Sequence, residues 1–142
     1  MFTKLAFLAL AAPALVLAAD IPVTVGAANS FTFSPSSITA AVGDTITFTV
    51  VSRNHSITTT HFSGAVCPPP PGGVGPNGFD SGFLSALDGT TPSFTYTVVD
   101  TEPHFGACMQ AAGAHCRIGM TFAINPTAEQ TYAQFDANAR AS

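Results

Sequence analysis

The fold of this chain is organised around one stretch near its C-terminal end, Cys108-Met109-Gln110-Ala111-Ala112-Gly113-Ala114-His115-Cys116-Arg117-Ile118-Gly119-Met120. The stretch combines thiols, an imidazole and thioethers with small residues. Cys, His and Met are soft or borderline ligands, and two His with one Cys and a long axial Met form a trigonal copper site. We therefore interpret Cys108, His115 and Met120 as candidate metal ligands.

A second histidine has to come from elsewhere in the chain, and His55 is the best candidate. The run from Thr45 to Val51 alternates apolar and polar residues, which predicts a half-buried strand. The strand would deliver Asn54-His55-Ser56 to the rim of a sheet. That tripeptide also matches a glycosylation acceptor, and we expect little or no occupancy if His55 binds metal. Considered alone, His55 would be interpreted as an ordinary surface histidine.

Several ordered motifs resemble the cupredoxins, most closely the secreted, phytocyanin-like members of fungal type. Besides the Cys-loop-His-Cys-loop-Met pattern, the chain contains Phe33-Ser34-Pro35-Ser36-Ser37-Ile38, Val42-Gly43-Asp44-Thr45-Ile46-Thr47-Phe48, Asn54-His55-Ser56, Phe79-Asp80-Ser81-Gly82-Phe83 and Gly119-Met120-Thr121-Phe122-Ala123-Ile124-Asn125-Pro126. Together these motifs cover about residues 22 to 127.

The resemblance implies an all-β fold, a cupredoxin-like Greek-key β-sandwich of two sheets with a short C-terminal helix. It also implies one type 1 (blue) copper ion. Four ligands would hold this ion: His55, Cys108, His115 and Met120. A disulfide between Cys67 and Cys116 would lie beside the site. The implied function is single-electron transfer or extracellular copper handling, with His115 as the exposed ring in an alanine-rich patch that meets a transient redox partner.

The residues themselves leave alternatives open. Three cysteines allow one disulfide and one leftover thiol, so Cys108 could also be an inert buried thiol or pair with Cys116. Met120 could be a plain core residue. The loop from 109 to 114 is longer than is usual in the family, and Gly106-Ala107 replaces the aromatic residues expected before the ligand cysteine. These two departures favour an alternative function, a metal-free interaction module of the cell surface or wall.

The first 19 residues are predicted to be a signal peptide. Lys4 precedes an apolar run that ends in small residues at Ala18-Ala19, and the run is too short to span a membrane. We expect cleavage after Ala18 or Ala19. The remainder is predicted to form a cupredoxin-like domain over 20–127 and a C-terminal helix or tail over 128–142. Thr127-Ala128-Glu129-Gln130 resembles a helix start, and the helix would reach about Ala139 and pack Tyr132 and Phe135.

Composition and charge exclude several classes of function. The chain has four Lys and Arg against eight Asp and Glu, and charged residues make up 8% of it. Few cations are left to neutralise phosphates, so we expect no nucleic-acid partner. The polar end lacks the hydrophobic tail of a lipid-anchor signal. We expect a secreted, extracellular monomer.

The remaining pattern predicts further strands and argues against an enzyme. Strands are expected at Val23 to Ala28, Pro92 to Val99, His104 to Cys108 and Arg117 to Ile124, and Phe31 and Phe33 are both expected to be buried. His61 and His104 are interpreted as structural or solvated. A copper oxidase would need paired His-x-His motifs, which the chain lacks, and Ser81 has no nucleophile-elbow context.

Overall fold

The computed structural model describes residues 17–142, so most of the predicted signal peptide lies outside the described residues. The described elements are, in chain order, β1 Asp20–Val25, β2 Phe33–Ser34, β3 Ser37–Ile38, β4 Thr45–Val50, β5 Asn54–His55, β6 Thr58–Thr60, β7 Leu84–Ser85, β8 Ser93–Thr97, β9 His104–Ala107, α1 Ala114–Arg117, β10 Thr121–Ile124 and α2 Tyr132–Arg140.

Two four-stranded sheets carry the fold, and the resemblance implies this number of sheets. One sheet has the order β2-β1-β4-β8, with β1 parallel to β4 and β4 antiparallel to β8. The other has the order β3-β10-β9-β6, and a short β5-β7 pair is separate. In the first sheet, Thr49 of β4 lies opposite Ser93 at one end, and Thr45 lies opposite Thr97 at the other. In the second sheet, β9 and β10 are antiparallel, so Ala107 and Thr121 lie at one end and His104 and Ile124 at the other.

The alternating pattern of β4 places its apolar residues in the core. Ile46, Phe48 and Val50 are fully buried, whereas the intervening threonines remain partly exposed. Phe122 and Ile124 of β10 reach the same cluster from the opposite sheet. Successive side chains of a strand point to opposite faces, so the inward residues of β4 and β10 interdigitate between the sheets.

Strands β9 and β10 are buried on both faces because α2 covers their outer side. Phe105 and Ala107 form a second cluster with Phe135 and Ala139 of α2 and with the disulfide-bonded cysteines. Phe105 and Phe135 pack with ring centroids 4.9 Å apart. The helix therefore completes the core of the second sheet.

Two predictions about local structure need correction. The last strand begins at Thr121, because residues Ala114–Arg117 form a turn of helix and the chain straightens only after Gly119. The terminal helix begins one turn later than expected: Thr131 and Gln134 form its capping box, whereas Thr127 only closes a turn with Gln130. The predicted helix with buried Phe135 and partly buried Tyr132 is otherwise confirmed.

The chain upstream of β1 is held by the turn before β4. The backbone amide of Ala19 donates to Asp44 Oδ1 at 2.8 Å, and the Ala19 carbonyl accepts from Thr45 N at 2.8 Å. The amide of Ala41 donates to the other oxygen of Asp44 at 2.8 Å. These two backbone donors lower the pKa of the Asp44 carboxyl. Among residues 17–142, no helix combines the length and the apolarity that a membrane span requires.

Candidate metal centre

Three of the four predicted ligands converge at one end of the sandwich, which we call the site end. Cys108 Sγ lies 3.7 Å from His55 Nδ1 and 3.5 Å from His115 Nδ1. The ligand atoms of these three residues all lie within 4.8 Å of one another, so one ion could bridge them. In the sequence the two histidines are separated from Cys108 by 53 and 7 positions.

His55 is placed by the short β5-β7 pair that follows β4. It pairs with Leu84, and its side chain is fully buried. Burial, followed by the charges of His115 and Arg53, lowers the pKa of His55 to about 4. The ring is therefore neutral near pH 7, which leaves a nitrogen lone pair free for a metal. Its Nε2 is buried with no hydrogen-bond partner, so the contacts of this ring are concentrated on Nδ1.

Cys108 follows β9 and carries the free thiol in the described part of the chain. It is fully buried, and burial raises the pKa of the thiol. Two backbone amides oppose that effect, because Ser56 N lies 3.3 Å and Gln110 N 3.5 Å from the sulfur. Both N–H groups would favour a thiolate, which is the form that binds metals. The donor set of one thiolate and two neutral imidazoles fits copper.

The long loop between Cys108 and His115 folds back on itself. Ala111, Ala112 and Gly113 have φ angles of 55°, 50° and 85°, and Gly113 N donates to Met109 O at 3.1 Å. The left-handed turn feeds α1, whose first turn carries His115. The extra length is thus taken up in a compact turn, and the imidazole still reaches the sulfur. Burial, followed by the charge of Arg53, lowers the pKa of His115 as well.

Met120 lies on the core side of the loop. It is fully buried in the core cluster that also contains Cys108. Its carbonyl accepts from Cys108 N at 3.1 Å, and its amide donates to His115 O at 3.0 Å. The backbone of Met120 therefore connects the two other residues of the loop, which brings all four predicted ligands into one region.

The segment from Cys108 to Met120, which we call the ligand loop, is also held in place by the disulfide and by two arginines. Cys67 and Cys116 are bonded, as predicted, and close a loop across 49 positions. Arg117 donates to the carbonyls of Ala112 at 2.9 Å and Cys67 at 3.0 Å. Arg140 of α2 donates to Ile118 O at 2.8 Å. Its guanidinium group fills the space where a side chain on residue 119 would lie, which explains the glycine at that position.

The structure explains the small residues before Cys108. A Cβ atom on Gly106 would lie 2.9 Å or less from three ring atoms of Phe122, so the phenyl ring occupies the space of a side chain. Phe122 packs against Phe33 and Phe48 with centroid distances of 4.9 and 5.2 Å. Phe122 lies opposite Gly106 on the neighbouring strand β10, so it supplies an aromatic ring at the position where Gly106 has no side chain.

Sequence reasoning missed three neighbours of the site. Phe31 is only partly buried, contrary to expectation, because it lies against the site: its ring centroid is 4.6 Å from that of His115 and 6.4 Å from that of His55. The Arg53 guanidinium lies 4.7 Å from the Phe31 ring centroid. Ser56 also contributes, since its hydroxyl accepts from Met109 N at 2.9 Å. No local pattern distinguishes these residues from core or loop positions.

The two remaining histidines lie away from the site, in agreement with their predicted roles. His104 is buried and its Nε2 lies 2.8 Å from Asp100 Oδ1. His61 is exposed. His104 begins β9, so it lies at the end of the sandwich opposite the site end, which we call the far end.

Comparison with known proteins identifies the fold. No protein-family model and no curated protein sequence matches the chain. Among solved structures, auracyanin B has a TM-score of 0.51 at 18% identity, over 81% of this chain and 93% of its own. A purple cupredoxin from Nitrosopumilus maritimus has 0.51 at 18%, over 74% and 97%. A mutant fern plastocyanin has 0.50 at 26%, over 72% and 96%.

These neighbours are cupredoxins, and the chain has a cupredoxin-like β-sandwich, as the resemblance implies. The group of His55, Cys108, His115 and Met120 fits a single type 1 copper ion.

Proposed function

We propose that the chain is a mononuclear type 1 copper protein that transfers single electrons and is not an enzyme. One observation carries the proposal. A single free, buried sulfur, Cys108 Sγ, lies 3.7 and 3.5 Å from the Nδ1 atoms of two histidines on separate parts of the chain. A thiol has one proton and can donate it to only one of the two imidazoles, whereas a trigonal copper site uses one thiolate and both imidazoles.

The four side chains would differ in how strongly they bind the metal. Cys108, His55 and His115 would be the strong ligands, and Met120 would be the weaker fourth ligand. Copper bound there would supply a one-electron couple between Cu(II) and Cu(I). The residues themselves provide rigidity: His55 is fixed by β5, Cys108 by two amide donors, and His115 by the clamped loop. Partly exposed His115 would be the ring nearest to a partner protein.

We further propose that the protein is a secreted, extracellular monomer of the phytocyanin-like, fungal-type group. The apolar N-terminal run, the low charge and the disulfide support secretion, since disulfides persist in oxidising compartments. A role in extracellular copper handling would use the same four residues. The division into a leader over 1–19, a domain over 20–127 and a tail over 128–142 remains a prediction.

Copper titration tests the proposal. Added Cu(II) should give an intense visible absorption band from thiolate-to-copper charge transfer, saturating at one equivalent. Cys108→Ser should abolish the band, and His115→Gln should weaken or shift it. His61→Gln is the matched control, because His61 is an exposed histidine away from the site.

A band that survives Cys108→Ser would refute the type 1 assignment. If equilibrium dialysis found no copper bound at one equivalent, the metal-free interaction module would be the remaining function.

A further inference from the structure

We propose that the surface around His115 docks an acidic protein partner, with Arg53 as its charged contact. This inference rests on the proposed function, because a docking surface at this place serves a redox centre beneath it. The surface, which we call the docking face, consists of Phe31, Arg53, Ala111, Ala112, Ala114 and His115.

The docking face is built on the ring of Phe31. The ring lies against His115 on one side, with 4.6 Å between the ring centroids, and carries the Arg53 guanidinium 4.7 Å from its centroid on another. Cation–π contacts of this kind hold a guanidinium group over an aromatic face while leaving its edge free. A fixed positive charge is thereby placed one aromatic ring away from the proposed exposed ligand.

Arg53 differs from the other arginines in what its guanidinium binds. Arg117 directs N–H groups to the backbone carbonyls of Ala112 and Cys67. Arg140 directs them to the carbonyl of Ile118 and to Asp136. In contrast, the hydrogen bond found for Arg53 within residues 17–142 is the one from Nε to Asn29 O, at 3.1 Å. Arg53 is also exposed. Its two terminal NH₂ groups are therefore available for a carboxylate from another molecule.

The charges of the described residues are segregated along the sandwich. The three arginines lie at the site end or on the ligand loop. Five of the eight acidic residues lie at the far end, near the starts of β1, β4 and β9 and in the turn before α2: Asp20, Asp44, Asp100, Glu102 and Glu129. The remaining three acids lie nearer the site end: Asp136 is paired with Arg140, and Asp80 is bridged to Thr58. Asp88 lies in the exposed turn after Ala86, whose amide donates to Arg53 O. The site end thus has three arginines against three carboxylates, whereas the far end has five carboxylates and no arginine among the described residues.

This arrangement favours an acidic partner at the site end. The acids of the far end would repel it, so an anionic surface approaching this acidic protein would be oriented towards the docking face. At short range, the Arg53 fork matches a carboxylate in bidentate geometry. The exposed alanines next to His115 have no charge to desolvate, which suits a small, transient contact.

The test uses the metal-free protein and two paramagnetic probes in NMR spectra. Hexacyanochromate(III) is a trivalent anion, and hexaamminechromium(III) is a trivalent cation. We expect the anion to broaden amide signals of residues 31, 53 and 111–115, and the cation to broaden those around Asp100 and Glu102. Arg53→Gln should reduce the anion's effect on the docking face about fivefold, which corresponds to about 1 kcal/mol. Arg53→Lys should retain most of it.

Gln130→Glu is the matched control, because it changes the net charge as Arg53→Gln does but at the far end, and the anion should broaden the same signals as before. A hexaglutamate peptide should displace the anion from the docking face. The proposal is overturned if the anion broadens signals all over the surface, if Arg53→Gln has no effect, or if the peptide displaces nothing. Since the protein is metal-free, such a failure is separate from a failure of the copper titration.

Discussion

Removal of the disulfide is the perturbation whose effect the structure allows us to calculate most directly. The double variant Cys67→Ala/Cys116→Ala opens a covalent loop whose ends are 49 positions apart. In the chain-entropy model a loop of this length destabilises the unfolded state by about 4 kcal/mol. Alanine avoids placing a new hydroxyl in the apolar cluster of Val66, Phe105 and Phe135.

We expect the free energy of unfolding of the metal-free variant to fall by about 4 kcal/mol. At a urea slope of about 2 kcal/mol per molar, the midpoint would decrease by about 2 M with the slope little changed. Because Arg117 still bonds to Ala112 and to the carbonyl of residue 67, the ligand loop should remain near Cys108 in the folded variant. The charge-transfer band after copper addition should therefore persist, although the protein is less stable.

Urea unfolding followed by circular dichroism measures this effect, with a chelator present to keep the protein metal-free. Wild-type protein unfolded in reductant is the control, and its midpoint should agree with that of the double variant. A decrease of less than about 0.5 M in both samples, or about 1 kcal/mol at that slope, would show that the loop-entropy argument fails here.

Three further predictions concern the core, the buried imidazole and the N-terminus. Gly106→Ala should destabilise the protein by about 1–3 kcal/mol, because the added methyl group overpacks against Phe122. The double variant with Phe122→Leu should lose less stability than the sum of the two single variants. Additive losses in denaturant titrations would contradict this contact. The pKa of His55 is about 4 in the folded protein against 6.5 in the unfolded chain, so between pH 6.5 and 4 only the unfolded state takes up the proton. The free energy of unfolding of the metal-free protein should therefore fall by up to about 3 kcal/mol as the pH decreases over this range. In His55→Gln this loss should shrink, and an unchanged pH profile would be evidence against the shift. After secretion, intact mass should place the N-terminus at Ala19, where the new ammonium group would pair with Asp44; a chain beginning one residue later would argue against that pairing.

Much of the fold and of the site could be predicted from local pattern. The alternation in Thr45 to Val51 predicts which face of β4 is buried, because the two-residue period depends only on the pleat of the strand. The odd number of cysteines and the ligand types of His115 and Met120 point to a metal. The predicted start of the last strand at Arg117 is wrong, because Gly119 and not the apolar pattern decides where the chain straightens after α1.

The sequence by itself determined the kind of chemistry and the sheets that could support it, since residue type and alternation are local properties. Tertiary structure alone decided which groups meet. It pairs Cys67 with Cys116 and leaves Cys108 facing His55. It also stacks Arg53 on Phe31 beside the imidazoles, a contact between positions with no shared motif. Such contacts depend on the path of the whole chain through the sandwich, and short-range spacing carries no information about that path.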